Sequence, residues 1–117
     1  MKKVLIILLI LSSMYIPFAA AHPFTEETIP SLTSNSPTGI SEVIVYFSEP
    51  VELGFSTLKV LDNNGNQIDN KDTSYYEGDD SLIVSTPPLE DGVYTVSTKV
   101  LSKIDGHLVP DAFLFAV

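Results

Sequence analysis

The sequence predicts an all-β fold, a small sandwich or barrel, on three observations. Short runs alternate apolar and polar residues with the period of two that places every second side chain on one face of a strand. Clusters of Asn, Gly, Asp and Pro, which form turns, separate those runs. Beyond residue 21 no stretch carries the 3.6-residue apolar period of a helix. Short strands at regular spacing with turn chemistry between them read as a two-layer β-domain.

The first twenty-one residues stand apart and read as a signal peptide. Lys2 and Lys3 supply a positive start, residues 4–11 are an unbroken apolar run, and Ala19 and Ala21 are the small residues that precede a peptidase cut. Pro17 breaks a helix near the expected cut. The competing reading is a retained anchor, but residues 4–21 are at the short limit for spanning a bilayer and contain Ser12 and Ser13. The expected division is therefore a leader over 1–21 and one β-domain over 22–117.

Residues 25–39, rich in Thr, Ser and Pro with little periodicity, are expected to be irregular edge structure. Residues 41–48 form the first clear strand, with Val43, Val45 and Phe47 on one face and Glu42, Ile44 and Tyr46 on the other. A second strand is expected over 55–62, with Leu58 and Val60 inward. The Asn63-Asn64-Gly65-Asn66 cluster then turns the chain, because Asn and Gly tolerate positive φ. Residues 67–80 form a polar segment, and the Glu77-Gly78-Asp79-Asp80 that ends it is expected to be a solvated loop. Leu82 and Val84 mark a short strand over 81–85, which Pro87 and Pro88 end.

Asp91-Gly92-Val93-Tyr94 resembles the tyrosine corner of Greek-key sandwiches, in which the Tyr hydroxyl bonds back to nearby backbone. Residues 93–102 are the longest expected strand, with Tyr94, Val96 and Val100 on one face around Thr98. Residues 112–117 close the sheet through Phe113, Phe115 and Val117. Nothing is expected behind that strand.

Composition narrows the function. Removal of the leader leaves 96 residues, one domain that buries roughly 60–65% of its unfolded surface. The absence of cysteine excludes a disulfide framework, zinc ribbons and thiol nucleophiles. Net charge is −9, loss of Lys2 and Lys3 takes it to −11, and there is no arginine, so nucleic acid is not an expected partner.

The chemistry-bearing residues are few. One of the two histidines, His22, follows Ala19-Ala20-Ala21, so cleavage would make it the first residue, with a free α-amine beside its imidazole. The other, His107, lies two residues after Asp105, and in an extended segment both side chains point to the same side. An amine, two imidazoles and a carboxylate form a nitrogen-rich set that suits square-planar Cu(II). Pro23 has no N–H, so the terminus cannot chelate through its second amide. Each nitrogen ligand must lose a proton, so affinity is expected to fall on acidification.

A family resemblance adds to this. The run from Ser41 to Asp62, with Phe47-Ser48-Glu49-Pro50-Val51-Glu52 followed by Phe55-Ser56, resembles the start of a CopC-type copper-resistance domain. Gly92 to Ser97 through Asp105-Gly106-His107 is similar to the family's late strand and its Asp-Gly-His element. The Ala-His junction and the final Phe-x-Phe-x-Val strand fit as well.

The resemblance implies an Ig-like barrel of about seven strands that binds one Cu(II) outside the cytoplasm, periplasmic or extracellular, in copper homeostasis or resistance. It implies His22, through its amine and imidazole, Asp105 and His107 as ligands, and a membrane copper transporter or a copper enzyme as partner. Glu49 matches an acidic family position near that site and would orient a ligand by hydrogen bonding; its plain reading is a solvated carboxylate. Two departures stand out. Both methionines, Met1 and Met14, fall in the leader, so a sulfur-based Cu(I) site is not carried over. Thr98 stands where the family usually has Trp.

Three other readings are weighed. A copper-brace oxidative enzyme shares the terminal His, but an Asp ligand would occupy a position that such chemistry needs free; the expectation is no enzyme. A calcium loop at Asp62 to Asn66 has its glycine too early and no closing Glu, so it reads as a turn. A metal-free surface or adhesion module shares the fold, because fold does not imply function.

Overall fold

Val43, Val45 and Phe47 alternate along one strand and are all buried, and the same pattern recurs at Leu58 and Val60, Leu82 and Val84, and Tyr94, Val96 and Val100. These side chains, with Val51, Leu89 and Phe115, make one core. The strands that carry them sandwich it. The structure, a computed structural model, describes residues 23–31 and 36–117. Among the described residues the chain forms seven strands: β1 (Thr25–Ile29), β2 (Glu42–Phe47), β3 (Thr57–Leu61), β4 (Ser74–Tyr75), β5 (Ser81–Ser85), β6 (Val93–Leu101) and β7 (Leu108–Ala116).

All pairings are antiparallel. One sheet has the order β1-β2-β5-β4 and the other β3-β6-β7. This is the strand order of a constant-type Ig domain, in which first, second, fifth and fourth strands face third, sixth and seventh. The expected all-β, Ig-like Greek-key sandwich of about seven strands is what the chain forms.

The turns follow their residues. Asp62 Oδ1 accepts the backbone N–H groups of Asn64 and Asn66, both at 2.9 Å, and Gly65 takes φ +82°. The carboxylate thereby caps the turn, which agrees with a hairpin rather than a calcium loop. The tyrosine corner is present: the Tyr94 hydroxyl donates to the Glu90 carbonyl at 2.8 Å. Its ring stacks on Phe115, centroids 5.5 Å apart, across the β6–β7 register.

Four expectations need correction. The irregular edge expected over residues 25–39 begins with β1, which pairs with β2. Only Thr28 of its five residues is buried, so the alternation that reveals a strand is missing. The strand expected over 55–62 is shorter, because residues Leu53–Phe55 form a 3-10 turn and leave Phe55 exposed. The polar segment 67–80 contains β4 and a buried carboxylate, Asp69. The last strand starts at Leu108, not 112, and equals β6 in length, at nine residues each. Pro110 and Asp111 hide its beginning, and proline is tolerated there because β7 is an edge strand.

Candidate metal-binding loop

The β6–β7 connection, residues 102–107, carries Asp105 and His107. Its shape comes from Ser102. The Ser102 N–H donates to the His107 carbonyl at 2.9 Å, and the Gly106 N–H donates to the Ser102 carbonyl at 3.2 Å. Gly106 has φ +70°, a left-handed conformation that a residue without Cβ adopts at little cost. Asp105 Oδ1 accepts the His107 N–H at 3.0 Å, the local bond by which Asp commonly closes a turn. The other carboxylate oxygen, Oδ2, lies 3.3 Å from His107 Nδ1. The His107 side chain is 57% exposed and that of Asp105 25%, so the pair is open to solvent on one side.

The loop leans on the segment that follows β2. The Lys103 N–H donates to the Pro50 carbonyl at 3.0 Å, and Ser102 bridges to Val51. The Tyr75 hydroxyl holds that segment from below: it donates to the Val51 carbonyl at 2.6 Å and accepts the Leu53 N–H at 3.0 Å. Lys103 pairs with Asp79 at 3.3 Å and lies 5.5 Å from the centroid of the Tyr75 ring. The hydrogen bond to Asp79 raises the Lys103 pKa above its ordinary value.

Glu49 is not solvated. It is 7% exposed, and its Oε1 accepts the Ser102 hydroxyl at 2.5 Å. That hydroxyl in turn accepts the N–H groups of Ile104 at 3.1 Å and Asp105 at 3.3 Å. Glu49 therefore reaches the loop through a serine that sequence reasoning passed over. Serine at a strand end has no periodicity or motif to mark it.

His22 lies outside the described residues, as does the expected leader. The chain just after it is pinned: the Phe24 N–H donates to Ser48 Oγ at 3.0 Å, and the Ser48 N–H donates to the Phe24 carbonyl at 2.9 Å. Ser48 is the residue before Glu49. Among the described residues, no group of three or more His, Cys, Asp or Glu side chains is arranged to hold a metal ion. Asp105 and His107 are brought together; the set expected from sequence is thus described only in these two members.

The CopC domain profile matches residues 25–117. The chain belongs to the CopC family of copper-resistance domains. Copper transport protein CutJ of Bacillus subtilis is 27% identical to it over 114 residues, 95% of this chain and 21% of CutJ. This CopC chain thus spans about a fifth of the length of that curated relative. The crystal structure of CopC from Methylosinus trichosporium OB3b superposes with a TM-score of 0.71 at 27% identity, covering 82% of this chain and 93% of that one. PcoC, a methionine-rich copper resistance protein from Escherichia coli, shares the fold with a TM-score of 0.70 at 20% identity, covering 83% and 99%. Among the described residues of this CopC domain, no helix is long and apolar enough to cross a membrane.

Proposed function

We propose that residues 22–117 form an exported Cu(II)-binding domain of copper homeostasis. Its ligands are the α-amine and imidazole of His22, the Asp105 carboxylate and the His107 imidazole. The observation that carries this reading is the 3.3 Å separation of Asp105 Oδ2 and His107 Nδ1. Two donors side by side in a square plane, each about 2 Å from the metal, stand about 2.8 Å apart. Small side-chain rotations supply the difference. Cu(II) would take the place of a proton on the ring nitrogen, so binding would weaken on acidification.

The pinning of Phe24 to Ser48 supports the remaining ligands. It holds the chain two residues after His22 beside Ser48, next to the Glu49 that Ser102 joins to the loop. A leader cut after Ala21 would free the amine and place the domain outside the cytoplasm, periplasmic or extracellular. The likeness to part of a copper transport protein supports a role in handing copper to a membrane transporter or holding it outside the cell. The domain acts by binding rather than as an enzyme.

The test begins with mass spectrometry of the exported protein, where the expected first residue is His22. Cu(II) titration then compares that protein with a form carrying one extra residue before His22. Tighter binding by the shorter form is expected. Equal affinity would remove the amine from the ligand set.

A further inference from the structure

Every residue of Asp105-Gly106-His107 is hydrogen-bonded to Ser102: Asp105 through its N–H to Oγ, Gly106 through its N–H to the carbonyl, His107 through its carbonyl to the N–H. We propose that Ser102 is the positioning residue of the metal-binding loop, and that its hydroxyl links buried Glu49 to Asp105. The inference rests on the reading of this loop as a Cu(II) site.

The direction of each bond follows from what the atoms can do. Backbone N–H groups only donate, so Ser102 Oγ must accept from both Ile104 and Asp105. Its one proton is left for Glu49 Oε1, at the short end of the range for a hydroxyl on a carboxylate. The hydroxyl is thus fully used, and it is only 2% exposed, so water does not compete for it. Glu49 lies two residues past the end of β2, so the relay ties the amide of a candidate ligand to the frame of the sheet. Asp105, held at its own N–H, presents its carboxylate on the side where His107 Nδ1 stands. Preorganisation of this kind spares the loop its ordering cost when the ion arrives.

The test uses the exported protein with Ser102→Ala and Ser102→Thr. In the metal-free Ala variant, hydrogen exchange of the Ile104 and Asp105 amides is expected to quicken by about five- to tenfold, the loss of one modest hydrogen bond each. Cu(II) affinity is expected to fall by about tenfold or more. The electron paramagnetic resonance spectrum of bound Cu(II) should change as well, which a mere loss of stability would not cause. The Thr variant, which keeps the hydroxyl, should restore all three.

A folded Ala variant with wild-type exchange at both amides overturns the proposal. Unchanged affinity and spectrum in that variant overturn it too. Should the wild-type protein take up no Cu(II), the metal reading falls, while the exchange data still decide whether Ser102 holds the loop. If the Ala variant does not fold because Glu49 is stranded, Glu49→Leu/Ser102→Ala removes the carboxylate with its partner hydroxyl, so that no buried charge is left unpaired; the same outcomes then apply.

Discussion

Asp105 grips His107 twice, taking its backbone N–H at 3.0 Å on one carboxylate oxygen and standing 3.3 Å from ring Nδ1 with the other. One oxygen shapes the turn and the other faces the His107 ring. The two tasks can be separated. Asp105→Asn keeps an acceptor for the His107 N–H but removes the negative charge. It is expected to leave the melting temperature nearly unchanged, as substitutions at exposed loops do, and to weaken Cu(II) binding by at least tenfold. His107→Ala should do the same. A chelator-competition titration measures the affinity and thermal unfolding the control. Wild-type affinity in both variants would remove the loop from the copper site.

Asp69 is a buried carboxylate with a purely structural task. It is 8% exposed; its Oδ2 accepts the Val60 N–H at 2.9 Å and its Oδ1 the Lys71 N–H at 2.9 Å, while the Gln67 amide donates to both oxygens. Val60 lies on β3, an edge of its sheet, and needs a partner for that amide. Asp69→Ala leaves a buried N–H unsatisfied and should cost about 2–3 kcal/mol. Denaturant unfolding checks it. Asp69→Asn, which can still accept the Val60 N–H, should cost less.

Thr98 sits in the core face of β6 at 2% exposure, and its Oγ1 has no hydrogen-bond partner among the described residues. An orphaned buried hydroxyl is destabilising, and valine has nearly the same shape without it. Thr98→Val is expected to stabilise the domain by about 1 kcal/mol, read from the shift in denaturant midpoint at constant slope. A loss of stability would mean that the hydroxyl is bonded in solution.

The strands that could be read from sequence are those that send every second apolar side chain into the core. Val43, Val45 and Phe47 on β2, and Tyr94, Val96 and Val100 on β6, fall into this class. β1 escaped notice because a strand that buries only Thr28 has no alternation to display. The start of β7 was masked by Pro110 and Asp111, residues that signal a loop in isolation but are acceptable on an edge. The site shows a similar divide. Asp105 and His107 stood out because the chain has so few metal-binding side chains. Ser102 and Asp69 did not, because the work of a polar residue that bonds to backbone amides depends on where the fold brings those amides.

Asp72 gives the chain a measurable response to acid. Its Oδ1 accepts the Ser85 N–H at 2.8 Å and its Oδ2 the Ser85 hydroxyl at 2.5 Å, fastening the segment before β4 to the end of β5. The side-chain bond from Ser85, with the backbone bond second, lowers the Asp72 pKa. A carboxyl that is more acidic in the folded than in the unfolded chain favours folding when ionised. Its contribution is therefore complete above the ordinary aspartate range and is lost as pH falls through the depressed folded value. Denaturant unfolding of wild type and Asp72→Asn from neutral pH into strong acid should show wild type more stable at neutral pH and the gap closing at the acid end. A gap that stays constant across the whole range would mean that the geometry of the Ser85 bonds, and not the charge they stabilise, is what Asp72 contributes.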